Sequence, residues 1–314
     1  MAARPLISAI VPTLDRRDDL LAFVRTLVAQ TVVPDELIIV DAGSVPDLEV
    51  TLQRALDGSG VALRYSRSEA GTSLQRNRAL DQARGDLLFL LEDDVLLEPD
   101  YIERSIEAFA LPFDPPVGCV LGTFTSPPRR RGWQQRYFQV FGMTHAVSGD
   151  TASISTSGGP RWLMEPSRPV SVPLASSGRA AYRREAIGSQ RFDEYLPGYT
   201  MFEDVEFSFR VARDWTLVHT PHARLFHSRS ERARPDRGDR VGRLIYSRFY
   251  FFRKHVPKGP REIAAFAWTN LGISAFYVGV GVLRAPPREK VSILRGIAKG
   301  YRRVADDLRG RTVR

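Results

Sequence analysis

Short apolar runs alternate with amphipathic stretches over the first 125 residues, and this alternation limits the folds open to the chain. Leu6–Val11 and Asp86–Leu91 are almost wholly apolar, whereas Asp18–Gln30 between them carries leucine and valine at helical spacing. Apolar strands joined through helices predict an α/β fold, with a mainly parallel sheet covered by helices on both faces. Further strands are predicted at Glu36–Val40, Val61–Tyr65 and Val117–Thr125, and further helices at Pro46–Leu56, Thr72–Arg84 and Pro99–Ala110.

Polar side chains follow several of these predicted strands directly. Thr13 ends the first strand after Pro12, Asp41 ends the second, and the acidic triplet Glu92-Asp93-Asp94 follows the run that ends at Leu91. Open α/β sheets bind ligands beyond the carboxyl ends of their strands. The sequence therefore predicts a ligand site at this edge of the sheet.

The acidic triplet has two explanations at this point. Three adjacent carboxylates repel one another unless a cation lies among them. Glu92 and Asp94 would point the same way on an extended segment and could share an ion. Mg²⁺ and Mn²⁺ prefer such oxygen ligands and bridge to phosphates. A solvated acidic turn explains the triplet equally well.

A second acidic pair, Glu203-Asp204, opens a helix predicted from about Glu203 to Ala212. The helix dipole favours carboxylates in a first turn, which is a purely structural explanation. A carboxylate held there is also suited to act as a general base toward a hydroxyl group.

Histidines cluster in the same half of the chain, where His219, His222 and His227 lie within nine residues. An isolated histidine is more often structural. His227, however, follows the run Ala223–Phe226 and precedes polar residues, so it is also predicted to lie at a strand end. A neutral imidazole in that position could complete a metal site.

A series of short segments occurs in a characteristic order along the chain. In the first half they are Val11–Thr13, Ile39–Ser44, Arg76-Asn77, Ala83–Gly85 and Phe89–Asp94. In the second half they are Ser177-Gly178, Tyr182–Glu185, Arg191–Glu194, Glu203–Arg210 and Pro221–His227. This ordered set, which covers roughly residues 5–228, resembles the inverting family 2 glycosyltransferases of GT-A fold.

The resemblance implies a fold and a reaction. The fold would be GT-A, a Rossmann-like sheet sandwiched by helices, followed here by a helical C-terminal extension. The reaction would be a single displacement that moves a sugar from a nucleotide diphosphate-sugar to a hydroxyl acceptor, with inversion at the anomeric carbon. Metal and basic groups would stabilise the departing nucleotide diphosphate. The acceptor is expected to be a cell-envelope glycan or a lipid-linked glycan.

The resemblance also implies roles for individual residues. Asp204 would be the catalytic base, with Glu203 as its neighbour. Asp94 would bind a divalent cation, Mg²⁺ or Mn²⁺, with Glu92 and His227 as further ligands. The donor nucleotide-sugar would be bound by Pro12, Thr13, Asp41, Arg76, Glu92 and Asp93.

Two residues depart from the family pattern. Glu92 stands where the family usually has aspartate, which bears on whether it touches the metal directly. Ala42 stands where many members carry a second aspartate that contacts the base of the nucleotide. A uridine donor is therefore not implied, and a thymidine or guanosine nucleotide stays open.

The formal net charge of +9 predicts an anionic partner. Basic residues are concentrated at Arg129–Arg131, at five arginines between positions 229 and 240, and in the tail after Arg284. We recognise no nucleic-acid-binding module, and the acidic triplet argues against nucleic acid as the partner. A phosphate-bearing ligand or an anionic membrane surface is the expectation that remains.

Two alternative functions stay open. A sugar-nucleotidyltransferase uses a similar sheet, but it usually needs a glycine-rich phosphate loop after the first strand, and Thr13–Arg17 contains no glycine. A non-catalytic basic binding protein would keep the fold without the chemistry. The retained Asp94, Asp204 and His227 argue against that second alternative.

Domain organisation follows from the same reading. We expect residues 1–238 to form a catalytic domain, with the nucleotide-sugar-binding half in 1–125 and the acceptor half in 126–238. Residues 239–314 are expected to form a helical, membrane-associating region. Residues 142–171 are rich in serine, glycine and proline and predict a long loop or flap, and short strands are predicted near Leu217 and Leu225.

The stretch Ile263–Leu283 contains no charged residue and has nearly the length of a transmembrane helix. Polar residues and glycines dilute its hydrophobicity, and basic residues flank both ends, whereas a spanning helix favours positive charge on one side. The pattern favours a helix or hairpin in the interface of an anionic membrane. A helix buried against the catalytic domain is the alternative. Because no signal peptide is visible and Cys119 is the single cysteine, we expect a cytoplasmic, peripheral location on the inner membrane face.

Overall fold

A computed structural model describes residues 4–126, 132–143, 145–147, 151–195, 201–230, 232–233, 235–283 and 285–311, with the backbone alone for 145–147. The predicted basic group Arg129–Arg131 lies outside these ranges. Arg234, Arg284 and residues 196–200 also lie outside them.

The first half of the chain alternates strands and helices as predicted. In order these are β1 (Ile7–Thr13), α1 (Arg17–Val28), β2 (Glu36–Asp41), α2 (Leu48–Leu56), β3 (Ala62–Arg67), α3 (Thr72–Gln82), β4 (Leu87–Leu91), β5 (Val95–Leu97), α4 (Tyr101–Phe109) and β6 (Val117–Phe124). The second half contains α5 (Gly132–Val140), β7 (His145–Val147), β8 (Ser153–Ile154), β9 (Pro160–Leu163), β10 (Val170–Ser171), β11 (Arg179–Arg183), α6 (Arg184–Ile187), α7 (Glu203–Val211) and β12 (Thr216–His227). Three C-terminal helices follow: α8 (Arg237–His255), α9 (Pro260–Phe276), which continues as a π-helical segment (Tyr277–Val282), and α10 (Pro287–Leu308).

Among the described residues, nine strands form one mixed sheet in the order β10-β12-β6-β11-β4-β1-β2-β3, with β5 paired to β12. Strands β1 to β4 run parallel, and β12 runs parallel to β6. Strand β11 is antiparallel to both β4 and β6, so β6 and β12 run in the direction of β4. The carboxyl ends of β1, β2, β4 and β12 therefore lie at one edge of the sheet.

Helices cover both faces of this sheet because its central strands are apolar on both sides. Leu87, Phe89 and Leu91 of β4 pack in one core with α1, α2 and α4. The intervening Leu88 and Leu90 pack in a second core with α3 and α7. Successive strand residues point to opposite faces, so an uninterrupted apolar strand fills both cores.

Two predictions about the second half were wrong in detail. The two short strands predicted near Leu217 and Leu225 are one twelve-residue strand, β12. A register shift between His219 and Arg224 interrupts the alternation, which hides the continuity in the sequence. The predicted flap at 142–171 contains the small three-stranded sheet β7-β9-β8 and the edge strand β10. These strands have two to four residues, too few for a clear two-residue period.

Helices α8 and α10 cross in very close contact through glycines. A β-carbon at Gly242 of α8 would lie 2.5 Å from the carbonyl oxygen of Gly296 of α10. A β-carbon at Gly300, one turn further along α10, would lie 2.7 Å from the carbonyl oxygen of Gly242. Any larger side chain at these glycines would push the two helices apart. The backbones of α8 and α10 are therefore in direct contact.

The C-terminal helices also share a core with the preceding segment. Phe251 of α8 packs with Leu174, Phe202 and Val205. The buried Glu206 of α7 also forms ion pairs with two residues of α8, Lys254 at 2.8 Å and His255 at 3.0 Å. The predicted boundary at residue 238 falls in the first turn of α8, and a separate C-terminal region stays a prediction.

Candidate active site

The pairing of β5 with β12 brings His227 to the acidic triplet. His227 lies opposite Val95, the residue directly after Asp94. Its Nε2 atom is 3.1 Å from Asp94 Oδ1 and 3.5 Å from Glu92 Oε2. The ligand atoms of Glu92, Asp94 and His227 all lie within 4.8 Å of one another. His227, more than 130 positions from Glu92 and Asp94 along the chain, thus joins them in one cluster. Their role as metal ligands stays a prediction.

The chemistry of this cluster fits a divalent cation. Two carboxylates and an imidazole are ligands that Mn²⁺ and Mg²⁺ accept. Burial and the neighbouring Asp94 carboxylate raise the pKa of Glu92, because they disfavour its ionised form. A cation bound in the cluster would favour that ionised form. Gly178 leaves the space that Glu92 occupies, because a β-carbon at that position would lie 2.7 Å from Glu92 Cδ.

A cavity opens beside the cluster at the carboxyl ends of β1 and β4. Five of the predicted donor-binding residues line it, namely Pro12, Thr13, Arg76, Glu92 and Asp93. Thr13 Oγ1 donates a hydrogen bond of 2.8 Å to Asp93 Oδ2. Burial raises the pKa of Asp93 to about 6, against the opposing effect of a nearby arginine. We call this space the donor cavity.

That arginine, Arg16, is a site residue that sequence reasoning missed. Its Nη1 atom is 2.9 Å from Asp93 Oδ1 and 3.6 Å from Asp94 Oδ2, and the side chain lines the donor cavity. Its Nε atom donates to the carbonyl oxygen of Arg232 at 2.8 Å. Arg16 follows the carboxyl end of β1 by three residues and directly precedes α1, so the rule that identified Thr13 points to its neighbourhood without singling it out.

The sixth predicted donor residue, Asp41, does not line this cavity. It is buried at the end of β2, where Tyr65 donates a hydrogen bond of 2.6 Å to Oδ2 and Arg67 one of 3.1 Å. Its Oδ1 atom accepts from the backbone N–H of Gly43 at 2.7 Å. Asp41 therefore organises the loop after β2, and its contact with a nucleoside stays a prediction.

A second cavity, of about 410 Å³, contains the predicted catalytic pair. Glu203 and Asp204 open α7, and both line this space. The preceding residue, Phe202, has a left-handed backbone with φ of 74°, which is strained for a bulky side chain. This turn directs the first residues of α7 into the cavity. We call this space the acceptor cavity.

Asp204 has the electrostatics of a general base. Its Oδ2 atom accepts a hydrogen bond of 3.3 Å from the backbone N–H of Ser177. Burial and the adjacent Glu203 carboxylate raise the pKa of Asp204 to about 7, while Arg76 opposes the shift. A carboxylate with a pKa near neutrality gains and loses a proton readily at physiological pH.

Two residues connect the cavities. Glu92 borders both of them. Arg76 lines the donor cavity and forms a buried ion pair of 2.7 Å with Glu203, which lines the acceptor cavity. The second carboxylate oxygen of Glu203 is buried and has no hydrogen-bond partner among the described residues. The two cavities therefore adjoin at Glu92 and at the ion pair of Arg76 with Glu203.

The other two clustered histidines lie elsewhere. His219 is buried 3.0 Å from Thr123 Oγ1, and burial and the nearby Arg179 lower its pKa well below the usual range. His222 is exposed on β12. His227 is thus the histidine of the cluster that meets the acidic triplet.

The family model "Glycosyl transferase family 2" matches residues 8–189, more than half of the chain. The chain belongs to glycosyl transferase family 2. It is 29% identical over 248 residues to the O-antigen biosynthesis protein RfbC of Myxococcus xanthus, a match covering 74% of this chain and 18% of RfbC. It is 28% identical over 238 residues to the uncharacterized protein y4gI of Sinorhizobium fredii, covering 73% of this chain and 25% of y4gI. The chain therefore spans a quarter or less of these two relatives.

Among solved structures, the fold is similar to that of the mannosyltransferase PcManGT from Pyrobaculum calidifontis, which was determined in complex with GDP-Man and Mn²⁺. The TM-score is 0.55 at 17% identity, and the match covers 99% of this chain and 84% of PcManGT. The predicted family and the predicted GT-A-like fold are confirmed. The roles of individual residues stay predictions.

Proposed function

We propose that this family 2 protein transfers a glycosyl group from a nucleotide diphosphate-sugar to a hydroxyl acceptor, with inversion at the anomeric carbon. The observation that carries the proposal is that Glu92 belongs to both cavities. A donor bound on one side of this carboxylate and an acceptor bound on the other would meet beside the cluster of Glu92, Asp94 and His227.

On the donor side, both basic and acidic side chains line the cavity. Arg16 and Arg76 would contact the diphosphate, and Thr13 would lie toward the nucleoside. Asp94, Glu92 and His227 would hold a divalent cation, which supplies positive charge to the diphosphate as it leaves. Arg16 pairs with both Asp93 and Asp94, and its positive charge would also favour an anionic ligand at this edge.

On the acceptor side, Asp204 would accept the proton of the attacking hydroxyl group. The hydroxyl oxygen forms the new bond to the anomeric carbon from the face opposite the diphosphate. The bond from that carbon to the diphosphate oxygen breaks, and the nucleotide diphosphate leaves with the electron pair. One displacement of this kind inverts the configuration. The ion pair of Arg76 with Glu203 would hold the Glu203 side chain in place beside the base.

The relatives support a role in cell-envelope polysaccharide synthesis. RfbC is named for O-antigen biosynthesis, and the complex of PcManGT with GDP-Man and Mn²⁺ is consistent with a nucleotide-sugar donor and a divalent cation. Because Ala42 replaces the aspartate that many members direct at the base, we leave the nucleotide open to experiment. The acceptor is proposed to be a cell-envelope glycan or a lipid-linked glycan.

We further propose that the protein works on an anionic membrane surface at the cytoplasmic face. In the described part of the chain, Pro260–Val282 is the single helical stretch long and apolar enough to cross a membrane, and 22% of its most apolar window is buried. Trp268, Leu271 and Val278 on this stretch are 47%, 56% and 44% exposed. Exposed basic residues on α10, namely Arg288, Arg295, Lys299 and Arg302, would add attraction to anionic lipid.

A ligand screen tests the catalytic proposal. The purified chain is heated with UDP, GDP or dTDP, each with and without Mn²⁺, because a ligand that binds the native state raises the melting temperature. We expect one nucleotide to stabilise the protein strongly and only with the cation. The matching nucleotide-sugar should then release its nucleotide in the presence of the enzyme. Failure of every nucleotide to stabilise the protein, together with no nucleotide release, would contradict the proposal.

A further inference from the structure

We propose that Arg179 is a positioning residue that holds the proposed metal ligands and the proposed base in their common arrangement. It would act through Phe124 on one side and through the segment Ser176–Gly178 on the other. This inference rests on the proposed function, since it takes the base and the metal ligands in the roles given above. Arg179 itself lines neither the donor cavity nor the acceptor cavity, so it would act only through its neighbours.

Arg179 is a buried cation at the start of β11. It lies opposite Leu91 of β4, the residue directly before Glu92, and is 2% exposed. Its Nη1 atom donates to the carbonyl oxygen of Gly122 at 3.0 Å, and among the described residues no carboxylate forms an ion pair with it. Burial lowers its pKa to about 10, so the side chain is charged at neutral pH. A buried charge without an ion-pair partner is costly for a fold, and such exceptions are expected at functional sites.

Phe124, near the carboxyl end of β6, connects Arg179 to the proposed metal ligand His227. The guanidinium carbon of Arg179 lies 4.9 Å from the centre of the Phe124 ring. The imidazole of His227 also packs against this ring, with 5.2 Å between the ring centres and 31° between the ring planes. The packing fixes the orientation of the imidazole, and its Nε2 atom is the one that approaches the acidic triplet. A metal ligand that is held in one orientation binds its ion more tightly.

The segment Ser176–Gly178, directly before β11, connects Arg179 to the base. Arg179 Nε donates to the hydroxyl group of its first residue at 3.0 Å. The backbone N–H of its second residue, Ser177, donates to Asp204 at 3.3 Å. Its third residue is the glycine that leaves space for Glu92. Displacing this segment would therefore move the proposed base and one proposed metal ligand together.

A purely structural role is the alternative, and a second arginine on β11 provides the control for it. Arg183 is half-buried, and its guanidinium carbon lies 5.2 Å from the centre of the Phe109 ring. It donates to the backbone carbonyl oxygens of Val117 at 2.9 Å and Phe109 at 3.1 Å. Arg183 lies opposite Leu87, at the other end of β4 from the acidic triplet. Arg179→Met and Arg183→Met therefore make the same change in similar surroundings, near the site and far from it.

Mn²⁺ binding to the full-length protein tests the proposal without any substrate. The electron paramagnetic resonance signal of free Mn²⁺ gives the dissociation constant, and the visible absorption of bound Co²⁺ reports the geometry of the ligands. We expect Arg179→Met and Phe124→Leu to weaken Mn²⁺ binding by about 10–100-fold, the usual loss when a residue that orients a metal ligand is removed. Both should also change the Co²⁺ spectrum. Phe124→Tyr, which keeps the ring, and Arg183→Met should bind Mn²⁺ like the wild type.

The melting temperature of each variant separates positioning from stability. Equal Mn²⁺ affinities of Arg179→Met and the wild type would overturn the proposal, as would equal losses in Arg179→Met and Arg183→Met. A wild type that binds no Mn²⁺ would overturn it as well. If Arg179→Met does not fold, Arg179→Lys takes its place, because it keeps the charge but loses the planar guanidinium that packs against Phe124. It should still weaken Mn²⁺ binding severalfold, and an unchanged affinity would overturn the proposal.

This test and the proposed function fail separately. Mn²⁺ affinity needs no nucleotide-sugar, so its dependence on Arg179 is decided even if the wild type releases no nucleotide, an outcome that contradicts the proposed function alone. If the wild type does release nucleotide, Arg179→Met should lower kcat at saturating Mn²⁺ with little change in the KM for the nucleotide-sugar. The reason is that Asp204 would be displaced while the donor contacts remain. A change in KM with an unchanged kcat would overturn the connection to the base.

Discussion

Replacing Asp204 with asparagine should slow glycosyl transfer and, at the same time, stabilise the fold at alkaline pH. Asparagine has nearly the same shape. Its single oxygen can keep one of the two backbone hydrogen bonds that Asp204 accepts, from Val205 at 2.7 Å or from Ser177 at 3.3 Å. It cannot accept a proton. Positioned general bases contribute about 10²–10⁴-fold to rate, so we expect turnover to fall by that factor while nucleotide binding is unchanged. Wild-type activity should rise with pH through about 7, where the pKa of Asp204 lies.

The effect on stability follows from the same pKa. Asp204 has a pKa of about 7 in the fold against an ordinary value of 3.8, so the folded protein binds this proton more tightly than the unfolded chain. The free energy of unfolding therefore falls as pH rises from 3.8 to about 7, and stays reduced above that. At about 1.4 kcal/mol for each pH unit, the loss is roughly 4 kcal/mol at most, and solvent contact of the side chain reduces it. Asparagine is neutral at every pH and avoids this loss.

Two measurements check this reasoning on one pair of proteins. Steady-state transfer rates between pH 5 and 9 should show the activity loss, and urea unfolding should show Asp204→Asn to be more stable than wild type at pH 8. The stability gain should vanish near pH 4, where Asp204 is protonated in the folded protein. Turnover within tenfold of wild type would refute Asp204 as the base. If Glu203→Gln were inactive at the same time, Glu203 would take that role.

Four further predictions concern other parts of the molecule. Asp94→Ala should abolish Mn²⁺-dependent nucleotide binding and transfer with little change in melting temperature, as measured by thermal shift and nucleotide release. Gly178→Ala should displace Glu92 and lower transfer at least tenfold, because the new methyl group would overlap the carboxylate. Glu206→Gln should lower the free energy of unfolding by roughly 2 kcal/mol at pH 7, because Arg210, Lys254 and the buried His255 lose the carboxylate that they share. Burial alone would raise the pKa of Glu206, but hydrogen bonds from His255, Arg210 and Lys254 lower it to about 2. The greater stability of the wild type over Glu206→Gln should therefore be lost as pH falls from 4.5 toward 2. The full-length protein should sediment with anionic vesicles and be only partly released by high salt, and Leu271→Glu should reduce the bound fraction severalfold.

Each of these changes has a matched control on the same chain. Asp57→Ala and Glu185→Gln alter exposed carboxylates away from both cavities. Gly132→Ala adds a methyl group where no atom lies within 4 Å. Val50→Glu places a charge on an exposed apolar position of α2. If a control matches the effect of its partner variant, or if an active-site variant keeps wild-type activity, the corresponding assignment fails.

Much of the donor side could be predicted because its residues follow strands directly. Thr13 and Glu92–Asp94 come after apolar runs that the sequence makes plain, and parallel strands bring their carboxyl ends together. Asp41 follows the same rule but does not line the donor cavity. Arg16 was missed because it precedes a helix and resembles an ordinary charged residue at a helix start. Its partners, Asp93 and Asp94, lie more than 75 positions away in the chain, and spacing alone does not connect them.

The acceptor side depends on contacts that no local pattern reveals. Phe138, Ile273 and Phe276 come from two helices far apart in sequence, and each would look like a core residue on its own helix. Arg248 also lines this cavity and is one of many arginines in a basic stretch, and its burial depends on how α8 packs against the β8–β9 turn. The glycines of α8 and α10 are also separated by the whole of α9, so their close contact appears only in three dimensions.

The position of Glu92 on the wall between the two cavities has a consequence for the order of substrate binding. With the donor cavity empty, Glu92 lacks the charge of the proposed cation, and negative charge on an acceptor would be repelled by its carboxylate. Filling the donor cavity, with its cation, cancels that charge and turns the same wall from repulsive to neutral. The two substrates would therefore enter in a compulsory order, donor first. The enzyme would in this way avoid a dead-end complex that contains the acceptor but no sugar donor.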